Sequence, residues 1–159
     1  MTSTTQLIEQ FYSAFQKKDY RTMQECYASN ARFSDPIFHN LNAEQVRAMW
    51  EMLCLKGKDL EMEFMNIEAN ETEGSAVWIA RYTFSSTGRY VINHVAARFR
   101  FENGKIVEHT DHFNFHKWAG QALGLSGRML GWMPFVRNKA QKSAMVALND
   151  FIQKRKANK

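Results

Sequence analysis

The chain has 159 residues, of which 45% are hydrophobic and 13% aromatic; this suits one domain with a sizeable core and excludes a disordered chain. Its formal net charge of +5 is concentrated between Arg137 and Lys159, where seven basic residues accompany one Asp. We interpret this segment as a solvated helix face. It lacks the interleaved aromatic residues of an RNA-binding surface, so we predict no nucleic-acid partner.

Targeting and membrane signals are sparse. The first ten residues lack the basic and apolar regions of a secretory signal, and the longest apolar stretch, 129–136, is too short to span a bilayer. The two cysteines, Cys26 and Cys54, fall at core-like positions of predicted helices. Together these features predict a cytoplasmic protein with buried free thiols, no disulfide and no membrane span.

Three helices are predicted in the first third of the chain. Each begins at a side chain that can cap the first turn: Ser3 with Gln6, Asp19, and Asn42 with Gln45. Apolar residues then recur at helical spacing. The three apolar stripes are Leu7, Ile8, Phe11, Ala14 and Phe15, then Met23, Cys26 and Tyr27, and finally Val46, Met49, Trp50 and Leu53.

One short strand is predicted between the second and third helices, and the other strands are predicted after the third helix. A short strand over 31–35, stopped by Pro36, lies between the second and third helices and places Phe33 on the same side as Asp35. Beyond the third helix, 59–69 and 75–84 read as long strands. Helices grouped around a run of antiparallel strands are typical of an α+β fold.

A long hairpin over 91–115 is the central feature of the sequence, and it closes at Asn103-Gly104, whose residues tolerate positive φ. Pairing Arg98 with Glu108 on the outer face favours a three-residue bulged loop over a two-residue turn. The choice decides which face each side chain takes. The face of His109 and Asp111 carries Asn93, Val95 and Ala97 with the bulged loop, or His94, Ala96 and Arg98 with the turn.

After Phe115 the predicted strands end and helical segments follow. A short helix ends at Gly124, Pro134 interrupts the following apolar stretch, and a last helix spans 138–154. We therefore divide the chain into a cone domain, 1–115, and a helical extension, 116–159, packed on the same domain. The glycine-spaced segment 118–136 is a lid, a dimer contact or a membrane-touching segment, and its glycines favour the lid.

The order of elements resembles the nuclear-transport-factor-like cone fold of ketosteroid isomerases, SnoaL-type polyketide cyclases and limonene-epoxide hydrolases. The segments that carry the resemblance are 8–36 with its Asp-Pro step, VINHVAARFRFENGKIVEHTDHF at 91–113, and GQALG at 120–124. Together they are most similar to a SnoaL-like group with a C-terminal helical extension. The resemblance implies a cone-shaped curved antiparallel sheet wrapped on N-terminal helices, with the helical extension added.

The resemblance also implies roles for single residues. Asp35 falls where ketosteroid isomerases keep their general base. Phe11 and Ala97 stand where those isomerases have their two oxyanion donors, so steroid isomerisation is not implied. SnoaL-type cyclases use an Asp on the last strand with a His nearby, and Asp111 with His109 match those places.

The residues themselves point to a carboxylate site. Asp111 and His109 share one strand face, where a carboxylate among aromatic rings has a raised pKa suited to proton transfer. Asn93 supports them. His109 and His112 point to opposite faces, so we predict no metal site. The predicted pocket walls are Phe11, Phe15, Phe33, Trp50, Trp78, Tyr82, Ala97 and Phe113.

Two functions from different classes fit this pattern. The first is a cofactor-independent isomerase, cyclase or hydrolase that acts on a small apolar carbonyl or epoxide compound through Asp35 and Asp111. The second is a non-catalytic domain, either a binding module for a small hydrophobic ligand or a dimeric interaction domain that uses the outer sheet face. For either function we expect a small apolar ligand and a homodimer.

Overall fold

A computed structural model describes residues 3–158. It consists of six helices and five strands within that range. In chain order they are α1 (Thr4–Gln16), α2 (Tyr20–Glu25), β1 (Tyr27–Ser34), α3 (Ala43–Lys56), β2 (Glu61–Ala69), β3 (Glu73–Phe84), β4 (Arg89–Glu102), β5 (Lys105–His112), α4 (Phe115–Leu123), α5 (Leu125–Leu130) and α6 (Pro134–Ala157).

The three N-terminal helices begin where the sequence predicts. Ser3 and Gln6 form a complete capping box on α1, Asn42 and Gln45 form another on α3, and the Asp19 carboxylate accepts from the first turn of α2. Each cap satisfies backbone N–H groups that have no partner inside the helix. The apolar stripes of α1 and α3 are then free to face the sheet.

The sheet is curved and open, with strand order β1-β5-β4-β3-β2. Neighbouring strands are antiparallel except β1, which runs parallel to β5. β1 is also longer than the predicted strand 31–35 and starts at Tyr27, so the prediction that Tyr27 continues the face of α2 is wrong. The helix ends at its C-cap, Cys26, and the next residue already pairs with Ile106.

The long hairpin combines both predicted alternatives. Glu102 pairs with Lys105 across a two-residue turn in which Asn103 and Gly104 have φ of 51° and 72°. One pair further on, Val107 is an extra residue, because Phe101 pairs with Ile106 and Arg100 with Glu108. This bulge restores the face predicted for the bulged loop, with Ala97 opposite Asp111. The predicted pairing of Arg98 with Glu108 is wrong; Glu108 instead bonds Arg100 at 3.0 Å.

The C-terminal helices close over the cone. α6 begins at Pro134, four residues before the predicted helix, because proline is well suited to a first helical turn. It packs on α3 through buried Leu148 and Ile152. α4 is held against β4 by a second apolar cluster around Val91, Phe115 and Trp118.

One glycine allows two helices of the extension to pack closely. α5 crosses close to α4 at Gly127, where a Cβ would collide with the carbonyl oxygen of Ala119.

Cys26 and Cys54 are buried free thiols, and burial raises the pKa of each to about 11. Within residues 3–158, no helix combines the length and the hydropathy needed to cross a membrane.

Candidate functional site

A cavity of about 800 Å³ lies between the concave side of the sheet, α3 and the C-terminal helices. Its walls are mainly apolar and include Phe15, Trp50 and Trp78 from the cone and Trp118 and Phe135 from the extension. Its volume is in the range of pockets that hold small organic ligands. The extension therefore completes the cavity as well as covering the cone.

Asp111 lies on the cavity wall at the end of a buried hydrogen-bonded chain. The indole N–H of Trp50 donates to the Tyr27 hydroxyl oxygen at 2.8 Å, and that hydroxyl lies 2.7 Å from His109 Nδ1. His109 Nε2 lies 2.9 Å from Asp111 Oδ1. The three side chains that lead to Asp111 come from α3, β1 and β5, so these hydrogen bonds require the folded tertiary structure.

Counting donors assigns the protons along this chain. Trp50 Nε1 is a donor only, so among residues 3–158 His109 Nδ1 is the acceptor that remains for the Tyr27 O–H, and the hydroxyl donates to it. The imidazole hydrogen then lies on Nε2 and donates to Asp111. With a side-chain exposure of 0%, His109 meets the cavity through Asp111 alone. Its geometry suits it to orient the carboxylate.

Asp35 also lies on the cavity wall, just beyond the end of β1. Its Oδ1 accepts from the backbone N–H groups of Ile37 and Phe38 at 2.7 and 2.6 Å. Burial raises the pKa of Asp35 to about 7, the two backbone hydrogen bonds lower it in part, and the charge of Asp111 raises it. A carboxyl group with this pKa is able to donate or accept a proton near neutral pH.

A tyrosine hydroxyl completes the polar part of the wall. The Trp118 indole N–H donates to the Tyr82 hydroxyl oxygen at 2.8 Å, which leaves the phenolic hydrogen free to donate to a ligand. Burial raises the pKa of Tyr82, the Trp118 bond lowers it in part, and the charge of Asp35 raises it. Tyr82 therefore stays protonated near neutral pH, within electrostatic reach of Asp35.

The cavity brings together most of the predicted site residues. The polar ones on its wall are Asp35, Asn93 and Asp111, and the apolar or aromatic ones are Phe15, Trp50, Trp78, Tyr82 and Phe113.

Phe11, Phe33 and Ala97, which the sequence assigned to the pocket wall, lie instead in the core behind it. Phe11 meets the rings of Tyr27, Trp50 and His109 edge-on, and this packing fills the narrow end of the cone. His109 and His112 point to opposite faces, the first buried and the second exposed. Among the described residues, no group of His, Cys, Asp or Glu side chains is placed to hold a metal ion.

Sequence reasoning did not assign two residues of the site. Tyr27 was placed on a helix, although its even spacing from Ala31 and Phe33 fits a shared strand face. Trp118 was assigned to a short helix and to the segment 118–136, for which a lid was one alternative, but its contact with Tyr82 was not predicted. No local pattern announces its bond to Tyr82, because the two residues are 36 positions apart.

The SnoaL-like domain family matches residues 8–109 of the chain. That range includes Asp35, Asn93 and His109, and it ends two residues before Asp111. No curated protein matches the chain at a significant level.

Several solved structures share the fold. A proposed polyketide cyclase from Pseudomonas putida KT2440 has 16% identity and a TM-score of 0.64, with 77% of this chain and 99% of that one covered. An LEH-like epoxide hydrolase from M. tuberculosis has 16% identity and a TM-score of 0.60, covering 80% and 96%. An NTF2-like protein from Burkholderia pseudomallei K96243 has 18% identity and a TM-score of 0.63, covering 84% and 99%.

Proposed function

The chain belongs to the SnoaL-like domain family, and we propose that it is a cofactor-independent isomerase, cyclase or hydrolase of a small apolar carbonyl or epoxide compound. One observation carries the proposal: two carboxyl groups, Asp35 and Asp111, lie on the wall of the same apolar cavity. Structural neighbours described as an epoxide hydrolase and a proposed polyketide cyclase support the substrate class.

The two carboxyl groups have different surroundings, which suits different roles. Asp111 accepts the imidazole N–H of His109, and this bond holds its carboxylate in a position from which it can remove a proton. Asp35, with its pKa raised to about 7 by burial, is available in its protonated form. We assign the general base to Asp111 and the general acid to Asp35, with His109 as a positioning residue.

The substrate oxygen is held by neutral donors. Tyr82 has a free phenolic hydrogen on the cavity wall, and Asn93 offers an amide group nearby on β4. As Asp111 removes a proton from the substrate or from an attacking water, negative charge develops on the carbonyl or epoxide oxygen. A hydrogen bond from Tyr82 stabilises this charge, and Asp35 supplies the proton that neutralises it.

The test begins with native mass spectrometry of the purified protein to identify a retained ligand, followed by a turnover screen of related carbonyl and epoxide compounds. On a substrate found in this way, Asp111→Asn and Asp35→Asn should each lower kcat at least about 100-fold while both variants stay folded at the assay temperature. Asp150→Asn, an exposed carboxylate on α6, is the matched control. Full turnover by both site variants would rule out the assignment.

The alternative is a binding module that holds the same apolar ligand without turnover. The two backbone hydrogen bonds to Asp35 favour it, because an aspartate in such a turn also has a structural role. A binding module keeps its ligand affinity in both Asn variants and gives no product. A homodimer and a cytoplasmic location belong to either version of the proposal, and sedimentation at micromolar concentration tests the first of them.

A further inference from the structure

An unpartnered apolar stripe lies on the outside of the extension. Leu125 and Met129 lie one turn apart on α5, and Trp132 lies in the turn that follows this helix; their exposed fractions are 71%, 63% and 69%. None of the three lines the cavity, so this surface faces outward. The Trp132 indole N–H donates to the Met129 carbonyl oxygen at 3.0 Å, which leaves an exposed ring with its polar atom satisfied.

The stripe reaches the opening of the cavity. Leu130 lies between Met129 and Trp132 in sequence and Phe135 follows Trp132; both line the cavity, and they are 39% and 54% exposed. These two side chains therefore connect the cavity wall with the exposed stripe. We call residues 117–142 the mouth segment.

The charge around the stripe has one sign. Between residues 112 and 149 the chain has no Asp or Glu. The five basic residues of this stretch are all exposed and lie in the mouth segment: Lys117, Arg128, Arg137, Lys139 and Lys142. A surface that combines exposed apolar side chains with cations alone matches the interface of an anionic bilayer.

A small basic pocket adjoins the stripe. It has a volume of about 340 Å³ and lies between the start of β4, α4 and α5. Arg89, His116, Lys117 and Arg128 line it, and no carboxylate of residues 3–158 does. Arg128 is three residues from Leu125 on α5, so the pocket and the stripe are neighbours. Its size and charge fit a phosphate-bearing headgroup.

We propose that the mouth segment docks the protein on an anionic membrane surface, so that the cavity opens toward the lipid. This inference goes beyond the proposed function, because docking requires neither turnover nor a particular ligand. A second copy of the chain fits the surface poorly, because a two-fold contact would bring the same cations together. A nucleic acid presents mainly its charged phosphate backbone, so binding it would not bury the apolar side chains of Leu125 and Met129.

The experiment is flotation of the full chain with two kinds of vesicle, phosphatidylcholine alone and an equal mixture of phosphatidylcholine and phosphatidylglycerol. We expect the protein to float with the mixed vesicles and to stay behind with the neutral ones. The double variant Met129→Ser/Trp132→Ser should lower binding at least tenfold, roughly. Arg128→Gln should lower it about fivefold and reduce its salt dependence.

Matched controls lie outside the mouth segment. Val146→Ser removes a side chain that is 60% exposed on α6 but does not line the cavity, and Arg21→Gln removes one exposed positive charge on α2. Both should bind vesicles like the wild type. Absent binding to mixed vesicles, equal binding to neutral ones, or unchanged binding of the double variant would each overturn the proposal. Self-association that the double variant abolishes, with no vesicle binding, would assign the surface to a second copy and overturn it too.

Discussion

Tyr27 and His109 lie 82 positions apart in sequence, and their side chains meet in a buried hydrogen bond 2.7 Å long. Tyr27→Phe removes the hydroxyl group from this bond and from the Trp50 indole N–H at the same time. Each polar group left unpaired in the core costs about 1–3 kcal/mol, so we expect the free energy of unfolding to fall by roughly 2–4 kcal/mol. Urea unfolding measures this loss.

Tyr20→Phe is the control for that change. Tyr20 is half-buried, and among residues 3–158 its hydroxyl has no hydrogen-bond partner in the structure. Its loss should change the free energy of unfolding by less than about 0.5 kcal/mol. If Tyr27→Phe proved as mild as Tyr20→Phe, the hydrogen-bonded chain behind Asp111 would not exist in solution.

The raised pKa of Asp35 predicts a pH dependence of stability. Burial shifts this pKa from 3.8 to about 7, so between those values the folded state binds more protons than the unfolded state. The free energy of unfolding therefore falls as the pH rises through this window, and the loss is complete above pH 7, roughly. Because Asp35 is partly accessible from the cavity, we expect a contribution on the order of 2–4 kcal/mol.

Asp35→Asn isolates this contribution. The asparagine amide oxygen still accepts from Ile37 and Phe38, but it does not ionise. Urea unfolding near pH 5 and near pH 8 should show the variant gaining stability over the wild type as the pH rises. An equal difference at both pH values would mean that Asp35 titrates normally.

The sequence predicted the parts of the fold that depend on neighbouring residues. The capping boxes at Ser3 and Asn42, the turn at Asn103-Gly104 and the helix end at Gly124 all depend on a few adjacent residues, and the structure contains each of them. The hairpin register was harder to predict. It depends on a bulge at Val107, and a single extra residue leaves no pattern that distinguishes it from a longer loop.

The sequence predicted two carboxyl groups on the cavity wall, but not the residues whose hydrogen bonds hold the polar part of that wall in place. Asp35 and Asp111 stand out because carboxylates on an apolar strand face need a reason to be there. Their partners come from distant segments: Tyr27 reaches His109, and Trp118 reaches Tyr82, across 82 and 36 positions of sequence. One sequence carries no information about which aromatic side chains meet across such distances.

An ion pair between exposed Arg155 and buried Glu51 links α6 of the extension to α3 of the cone. Arg155 Nε lies 2.7 Å from Glu51 Oε2, and the Glu51 side chain is 5% exposed. Arg155→Ala leaves this carboxylate unpaired in the α3–α6 contact. Because Arg155 itself is 42% exposed and water can partly replace it, we expect a loss of about 1–3 kcal/mol in the free energy of unfolding. Faster amide exchange confined to α6 should accompany it.

The adjacent residue provides the control for Arg155. Lys156 pairs with Glu44 at 3.2 Å, but both side chains are about 60% exposed. Lys156→Ala should therefore cost less than about 1 kcal/mol and leave amide exchange in α6 unchanged. Equal effects of the two variants would show that α6 is held by its apolar contacts alone.

Filling the cavity from α6 separates ligand binding from folding. Ala147 is half-buried on the cavity wall, whereas its neighbour Val146 does not line the cavity and is 60% exposed. Ala147→Trp places an indole in the space that an apolar ligand needs, so an apolar fluorescent probe should bind at least tenfold more weakly, roughly. Val146→Trp adds the same ring to the solvent side and should bind the probe like the wild type.

Because the cavity has room for the added ring, both variants should melt within a few degrees of the wild type, about 5 °C at most. If both variants keep full probe affinity, the ligand site lies elsewhere on the protein; if both lose it equally, the effect comes from a change in α6 itself and not from a filled cavity.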